Sequence, residues 1–251
     1  EINIGLNSIV FFDDDKLNQE RIKQEFPEVL TIEIPNDPSQ YSSILTNLND
    51  FHVLQKTEED TKRGEMYAQQ RQRKQFENTV SNLDQFLKQL DIKVKIKKSN
   101  EFLIPRISQL TLKTNQFNLT TRRYQEEEIS EFSKDENFEV GCVQVLDKFG
   151  DNGITGAYIV KKNGTSWMLD TFLLSCRIIG RGVEDAMLSQ ILKDAKNNGV
   201  EEFKAEFIHT SKNKPAENFL SDFGFKKQDK FWIYNLNNDI ISPNHLTVEI
   251  E

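Results

Sequence analysis

Residues 172–188, FLLSCRIIGRGVEDAML, constrain the fold more than any other stretch of the chain. An apolar run ends in a cysteine, and Arg-x-x-Gly-x-Gly then leads straight into a helical pattern. Val183, Met187, Ile191 and Ala195 recur every four residues, and Asn198-Gly199 closes that helix. Phe203, Ala205 and Phe207 alternate as the next strand. A strand, a helix and a strand in this order read as one parallel crossover, so an α/β sheet is required. The two glycines let backbone approach whatever the turn holds, and a helix start offers free N–H groups with a positive dipole end. With Arg177 and Arg181 beside them, they form a candidate anion site. A tight turn and nothing more is the bland alternative.

The rest of the second half supports a mostly antiparallel sheet around that crossover. DIKVKIKK, from Asp91, alternates Val94 and Ile96 with Lys93, Lys95 and Lys97, which is a strand with one wet face. A helix is expected around 104–117, then one over the acidic stretch after TTRRY. Strands follow at 138–146, 154–162 and 166–175, punctuated by Gly150, Gly153 and Asn163-Gly164. Pro215 sits at a helix start with Phe219 and Phe223 on the buried side, and FWIYNL ends the sheet.

Toward the N-terminus, the apolar run 9–12 stops at Asp13-Asp14-Asp15. A helix with Leu17, Ile22 and Phe26 follows, ended by Pro27, and then a strand over 29–34. This is a βαβ unit whose acids fall at the carboxyl end of a buried parallel strand. Asp13 and Asp14 are candidate Mg²⁺ ligands there, since hard cations take carboxylate oxygens. Capping of the next helix is the alternative. Residues 51–90 read as a helical connector. Asp37-Pro38 opens a helix through Leu48, Thr57-Glu-Glu-Asp60 resembles a capping box, and AQQRQRKQ (68–75) is polar all round and reads as solvated. Phe76, Val80, Leu83, Leu87 and Leu90 continue at helical spacing and should dock on a neighbour.

The net charge of −8 carries no broad electrostatic footprint for nucleic acid. No apolar run approaches the roughly 20 residues a membrane span needs. Cys142 and Cys176 build no disulfide framework, so reduced thiols in a cytoplasmic protein are expected. The chain opens on EINIGLNSIVFF without a methionine, which reads as a piece of something longer.

Two resemblances follow from these motifs. The order of elements, Arg177-x-x-Gly180-x-Gly182, and KNKPAENFLSDFGF resemble the GNAT acyltransferase fold. VFFDDDKLNQERIKQEFPEV, QLTLKTNQFNLTTRRY, DKFGDNGITG and FLLSCRIIGRGVE resemble the FkbH-like family over the whole chain. In that family a HAD-type phosphatase domain is fused to a GNAT-like domain. Members move an acyl unit from a phosphorylated three-carbon donor onto the phosphopantetheine thiol of an acyl carrier protein. The resemblance implies the C-terminal part of a HAD-like domain at 1–50 and a GNAT-like acyltransferase domain at 91–251, its main body ending near 238. It implies coenzyme A or phosphopantetheine as cofactor, held by Arg177, Ile178, Gly180, Arg181, Gly182, Val183 and Asn213, and Mg²⁺ in a complete HAD domain. Asp15 stands where the family usually has Asn. The motif with the nucleophilic aspartate is absent from this sequence, so it should show no phosphatase activity on its own.

Cys176 ends the strand that parts from its neighbour in GNAT folds to admit the thioester arm. A thiolate there can take an acyl group and pass it on. His209, at the end of the next strand, is a candidate to lower its pKa, and Asp147 or Asp151 to orient that histidine. A buried structural cysteine is the alternative. In many GNAT enzymes the acid is the tyrosine of a Phe-Tyr pair, which reads Phe219-Leu220 here; Tyr124 or Tyr234 could substitute. Lys113, Asn115, Asn118, Arg122 and Arg123 are candidate ligands for a phosphate or carboxylate substrate, or a solvated helix end. Three functions are carried forward. They are acyl transfer to a pantetheine thiol, acetyl-CoA-dependent amine acetylation, and non-catalytic docking of a carrier protein.

Overall fold

A computed structural model of the chain describes residue 6 and residues 9–49 and 61–251, except the side chain of residue 63. Two compact units divide it, Glu1–Lys56 and Thr57–Glu251. The expected capping box at 57–60 lies outside the described residues.

In the first unit β1 (Val10–Phe12) and β2 (Leu30–Ile32) pair in parallel, Val10 opposite Leu30 and Phe12 opposite Ile32. The crossover between them is α1 (Lys16–Glu25). Asp15 starts that helix by accepting the Leu17 N–H at 2.8 Å, which satisfies one of the orphan donors of a first turn. A 3₁₀ turn (Pro38–Gln40) leads into α2 (Tyr41–Asn47). Its Tyr41 ring meets the Phe12 ring edge-on with centroids 5.8 Å apart.

The second unit opens with α3 (Arg63–Glu77) and α4 (Leu83–Gln89). The residues at helical spacing from Phe76 to Leu90 fall on two helices and the turn between them. Asn82 takes an extended backbone and accepts the Gln85 N–H at 2.8 Å, which restarts the helix. Phe86, Leu87 and Leu90 are buried in the main core, with Phe76 and Val80 packed against it.

The elements that follow are β3 (Ile92–Lys98), α5 (Ile104–Lys113), β4 (Phe117–Asn118), α6 (Glu126–Lys134), β5 (Phe138–Asp147), β6 (Gly150–Asn163) and β7 (Ser166–Leu174). Then come α7 (Val183–Asn197), β8 (Glu202–Glu206), α8 (Phe219–Phe223), β9 (Lys226–Gln228), β10 (Phe231–Tyr234) and β11 (Leu246–Ile250). The sheet runs β11-β3-β5-β6-β7-β8-β10-β9, with β4 beside β7. Each face is covered by helices. Val94, Val143, Phe172 and Phe203 pack with Met187, Leu188 and Ile191 of α7 on one side. Val140, Cys142 and Ile159 pack with Ile107 and Leu110 of α5 and Ile129 of α6 on the other.

Two findings alter the expected topology. β7–β8 is not the only parallel pair, because β11 adds to β3 in parallel at the far edge, Val248 opposite Val94. The chain therefore does not finish the sheet at β10. Residues after it run along α7, where Ser189 Oγ donates to Ile241 O and Lys193 Nζ to Ser242 Oγ, each at 2.7 Å. The lysines on the wet face of β3 meet that last strand: Lys95 and Lys97 hold Glu251 at 2.7 and 2.9 Å. These bonds pull the Glu251 carboxyl down to about 2. No helix among the described residues is long and apolar enough to cross a membrane.

Candidate functional site

The turn between β7 and α7 is built on backbone that side chains resist. Gly180 and Gly182 have φ of 76° and 80°, a region glycine enters without the Cβ penalty. A Cβ on Gly180 would meet open space, whereas one on Gly182 would come within 2.9 Å of the His245 ring. His245 Nε2 also bonds to Arg181 O at 2.8 Å, so the C-terminal segment lies against this turn. Glu184, in the first turn of α7, accepts the Gly180 N–H at 2.9 Å. Burial pushes the Glu184 carboxyl above its usual range, as it does that of Asp185 beside it.

The predicted phosphate ligands divide by what the turn does with them. Ile178 and Val183 are fully buried, so only their backbone is available to a ligand. Arg177 reaches Ser175 Oγ at 3.4 Å and lies against Met66 Sδ. Arg181 points inward rather than at the face of the turn. Its Nη1 stands 3.6 Å from Asp147 Oδ2, and desolvation with the nearby Arg73 holds the guanidinium below its usual pKa. Asn213 is buried, donating to Asn118 O at 3.0 Å and Ile208 O at 2.9 Å while its oxygen accepts the Thr210 N–H. It fastens a loop and has no donor left for a cofactor.

Behind the turn lies an ionic cluster that the sequence did not announce. Arg73 is 2% exposed and Asp147 fully buried, and they form a two-pronged pair at 2.6 and 3.0 Å. Asp147 also accepts the Phe149 N–H at 2.9 Å. The polar helix around AQQRQRKQ is thus not simply solvated. Its Arg73 is buried against Asp147 of β5, Gln70 Oε1 is buried, and Met66 is 6% exposed.

The opening expected between β7 and β8 is present and already filled. Pairing of the two strands stops at Leu169 opposite Ala205, and β7 continues to Leu174. There β4 pairs with it, Phe117 opposite Leu174 and Asn118 opposite Leu173. Leu119 N donates to Phe172 O at 3.1 Å and Leu119 O accepts from Ile208 N at 2.8 Å. The segment 117–119 bridges the parted strands and takes the backbone groups a thioester arm would use. Asn118, buried within it, accepts the Thr121 N–H at 2.8 Å.

Arg122 is likewise spent internally, on Asp170 at 2.9 Å and Glu206 at 2.7 Å. Tyr124 Oη donates to Asp170 Oδ2 at 2.8 Å, and burial together with that carboxylate pushes the phenol well up, keeping it a neutral hydroxyl. Arg123 bonds the Thr114 carbonyl and the Asn115 side chain. Lys113 is exposed. This group ties the end of α5 to β7 and β8. Asp170 and Glu206, which sequence reasoning missed, are its anchors.

Cys176 is exposed and Cys142 buried. His209 is exposed, its ring 6.5 Å from that of Phe207. Asp151 is turned to its own hairpin, taking the Gln144 amide and the Gly153 N–H, each at 2.7 Å. Asp147 is committed to Arg73. Neither acid orients His209, and no hydrogen bond among the described residues joins His209 to Cys176. Asp13 Oδ1 accepts the Asp15 N–H at 2.8 Å, and the Asp13 carbonyl takes the Gln19 amide at 2.6 Å. Among the described residues no group of three His, Cys, Asp or Glu is placed to hold a metal. Asp15 thus caps α1 and Asp13 braces its backbone, while Asp14 is exposed.

A cavity of about 420 Å³ opens next to the start of α7, lined by Asp185, Asp222, Asp239, Phe223, Tyr234 and His245 among others. Three carboxylates face one imidazole, so its walls disfavour a polyphosphate. The Gly180 N–H is taken by Glu184, and segment 117–119 fills the opening between β7 and β8.

No family model matches the chain, and no curated protein matches it. Among solved structures it is similar to the ribosomal-protein-S18-alanine N-acetyltransferase of Escherichia coli, with 14% identity and a TM-score of 0.43 over 54% of this chain and 79% of that one. It is similar to a GNAT-family acetyltransferase of Staphylococcus aureus, with 13% identity and a TM-score of 0.44 over 57% and 99%. A domain from Methanocaldococcus jannaschii is similar at 18% identity and a TM-score of 0.46 over 57% and 97%. By its own strand pairings, the second unit is a mixed, mostly antiparallel α/β domain.

Proposed function

We propose that the second unit is an acyltransferase domain that engages a phosphopantetheine thioester at the glycine turn, with Cys176 as the acceptor of the acyl group. One observation carries this reading. An exposed thiol stands in the turn two residues past the end of β7, four residues before a left-handed glycine whose Cβ side is open and which sits just before a 15-residue helix. The helix start is suited to a phosphate and the thiol to a thioester carbonyl. In the transfer, the Cys176 thiolate attacks the carbonyl, the bond from carbonyl carbon to pantetheine sulfur breaks, and the departing thiolate takes up a proton.

The narrower reading follows the FkbH-like resemblance of the sequence. The acyl group is glyceryl, the donor a phosphorylated three-carbon acid, and the final acceptor the pantetheine thiol of a carrier protein or coenzyme A. With an acyl phosphate as donor, the same thiolate attack would release inorganic phosphate. Incubation of the chain with 1,3-bisphosphoglycerate should add a 3-phosphoglyceryl mass, and incubation with a glyceryl thioester a glyceryl mass, each removed by hydroxylamine. Cys176→Ala should abolish the adduct and Cys142→Ala should leave it. No adduct on Cys176 from either donor refutes the assignment.

A second reading is favoured by the filled opening. If segment 117–119 stays in place, the domain docks a pantetheine-bearing carrier without catalysis. Carrier binding with no adduct identifies that case. Amine acetylation from acetyl-CoA is the third reading, and amine-dependent release of coenzyme A distinguishes it.

A further inference from the structure

Helices α5 and α6 leave part of their face of the sheet bare. Phe138 of β5 stacks on Phe132 of α6 with ring centroids 4.6 Å apart. Beyond Phe138 one row of paired residues runs to the far edge of the sheet. Lys161 is opposite Phe138, Met168 opposite Lys161, Lys204 opposite Met168, Ile233 opposite Lys204 and Lys226 opposite Ile233. Their chain neighbours Trp167, Phe203, Ala205 and Tyr234 belong to the core on the α7 side, so by the alternation of a strand this row points the other way. Lys161 and Lys226 are exposed, and Met168 and Ile233 are half-buried yet join neither apolar core. Phe231, on the same face of β10, joins neither core as well; Lys230 Nζ lies 4.9 Å and Lys204 Nζ 5.9 Å from its ring centre.

The acids on this face are already engaged. Glu202 holds Lys204 at 2.6 Å, and Asp170 and Glu206 hold Arg122. Among the described residues Lys161, Lys226 and Lys230 form no ion pair. On a chain of net charge −8, they and the bare apolar side chains make a local stripe that reads basic, apolar, basic, apolar, basic. Neighbouring strands lie about 4.8 Å apart, so the lysines of the row recur about every 10 Å with an apolar residue midway. An α-helix, rising 1.5 Å per residue, presents i, i+3 or i+4, and i+7 on one face at about 5 and 10 Å along its axis. Same-face residues of an extended strand are about 6.7 Å apart and lose step with the row by the second lysine. From Lys161 to Lys226 the row spans about 19 Å, the length of about 13 helical residues.

We propose that this stripe docks an acidic amphipathic helix of a partner protein, one with Asp or Glu at i and i+7 and an apolar residue between them. The carboxylates meet Lys161, Lys204 and Lys226, and the apolar side chains cover Met168 and Ile233. Lys204 contributes least, because Glu202 already holds it. The docking does not rest on the acyl-transfer reading, since neither the glycine turn nor Cys176 takes part.

The test titrates the full chain into a fluorescein-labelled helical peptide carrying Glu at i, i+7 and i+14 and Leu midway, read by fluorescence anisotropy. An isomer of the same composition, with its Glu and Leu on different faces, is the control. The matched peptide should bind at least tenfold more tightly than the isomer, and more weakly as salt rises. Lys161→Glu and Lys226→Glu should each weaken it about threefold, and together about tenfold. Lys227→Glu makes the same change of charge one residue away, but Lys227 pairs with Trp232 on the α7 side, so it should leave binding unchanged. All three lysines are exposed or lie at the surface of edge strands, and their replacement should leave the fold intact. No binding of the matched peptide, equal binding of the isomer, or equal losses in Lys226→Glu and Lys227→Glu would overturn the proposal. Capture of the chain by phosphatidylglycerol vesicles, with no binding of the peptide, would make the stripe a membrane contact and overturn it too.

Discussion

Asp147 is gripped by Arg73 through two hydrogen bonds and approached by Arg181, and this makes two substitutions that break the same ion pair unequal. Arg73→Met keeps the apolar stem and leaves Asp147 with the Phe149 N–H at 2.9 Å, the Asn152 amide at 3.4 Å and Arg181 at 3.6 Å. The buried carboxylate stays partly compensated, so the loss should sit near the low end for a broken buried pair, about 3 kcal/mol. Asp147→Asn leaves both Arg73 and Arg181 buried with no anion between them, and should cost about 5 kcal/mol. With a urea slope of about 2 kcal/mol per molar, the midpoints fall by about 1.5 and 2.5 M. Both tryptophans, Trp167 and Trp232, lie in the second unit, so fluorescence follows that unit in the whole chain. Adding Arg181→Met to Asp147→Asn should recover about 1–2 kcal/mol by removing one unpaired charge. Equal midpoints for the two single variants, or losses below about 1 kcal/mol in both, would show that the pair is solvated and the cluster argument wrong.

Other expectations are smaller in scope. Glu184 has a raised pKa in the fold because of burial, among Arg181, Asp185 and the Gly180 amide. The folded state therefore holds that proton more tightly than the unfolded chain does. The stability it lends is complete below the unfolded carboxyl range and is lost as pH rises through the raised value. Melting temperature against pH should slope less in Glu184→Gln than in wild type, and identical slopes would sink this account. Glu251 has the opposite sign, its pKa lowered to about 2, so Lys95→Ala should matter near neutrality and not in strong acid. Gly180→Ala should lower stability by about 1 kcal/mol for its left-handed φ, whereas Gly182→Ala also collides with His245 and should lose more. A thiol reagent should modify exposed Cys176 in the native chain and reach Cys142 only on unfolding. Equal rates would contradict the burial described. Asp15→Ala should weaken α1 by about 1 kcal/mol, seen as lost helicity by circular dichroism.

Much of the scaffold was legible from local pattern. The strands over 138–174 follow their apolar alternation and turn glycines, and the crossover at α7 follows from Gly180, Gly182 and the four-residue apolar repeat. Long-range pairing was not legible. β4 is two residues long and has no periodicity; only the partner backbone of Phe172–Leu174 makes it a strand. Leu246–Ile250 does alternate, but its partner β3 lies some 150 residues earlier, Thr247 opposite Lys93. Arg73 looked solvated because residues 69–75 are all polar; the residue that holds it in the interior is Asp147, 74 positions away. At the site, the motif located the glycine turn, yet the orientation of its side chains depends on what packs behind it. Arg181 goes to the buried side because Asp147 is there, and Glu184 fills the turn because its spacing along the helix returns its carboxylate to Gly180.

The central claim is that Cys176 accepts an acyl group from a thioester held at this turn. Intact-mass analysis of the whole chain after incubation with a glyceryl thioester of pantetheine tests it most directly. The account predicts one added glyceryl group, released by hydroxylamine, present in Cys142→Ala and missing from Cys176→Ala. An unmodified chain, or an adduct that survives in Cys176→Ala, would contradict it.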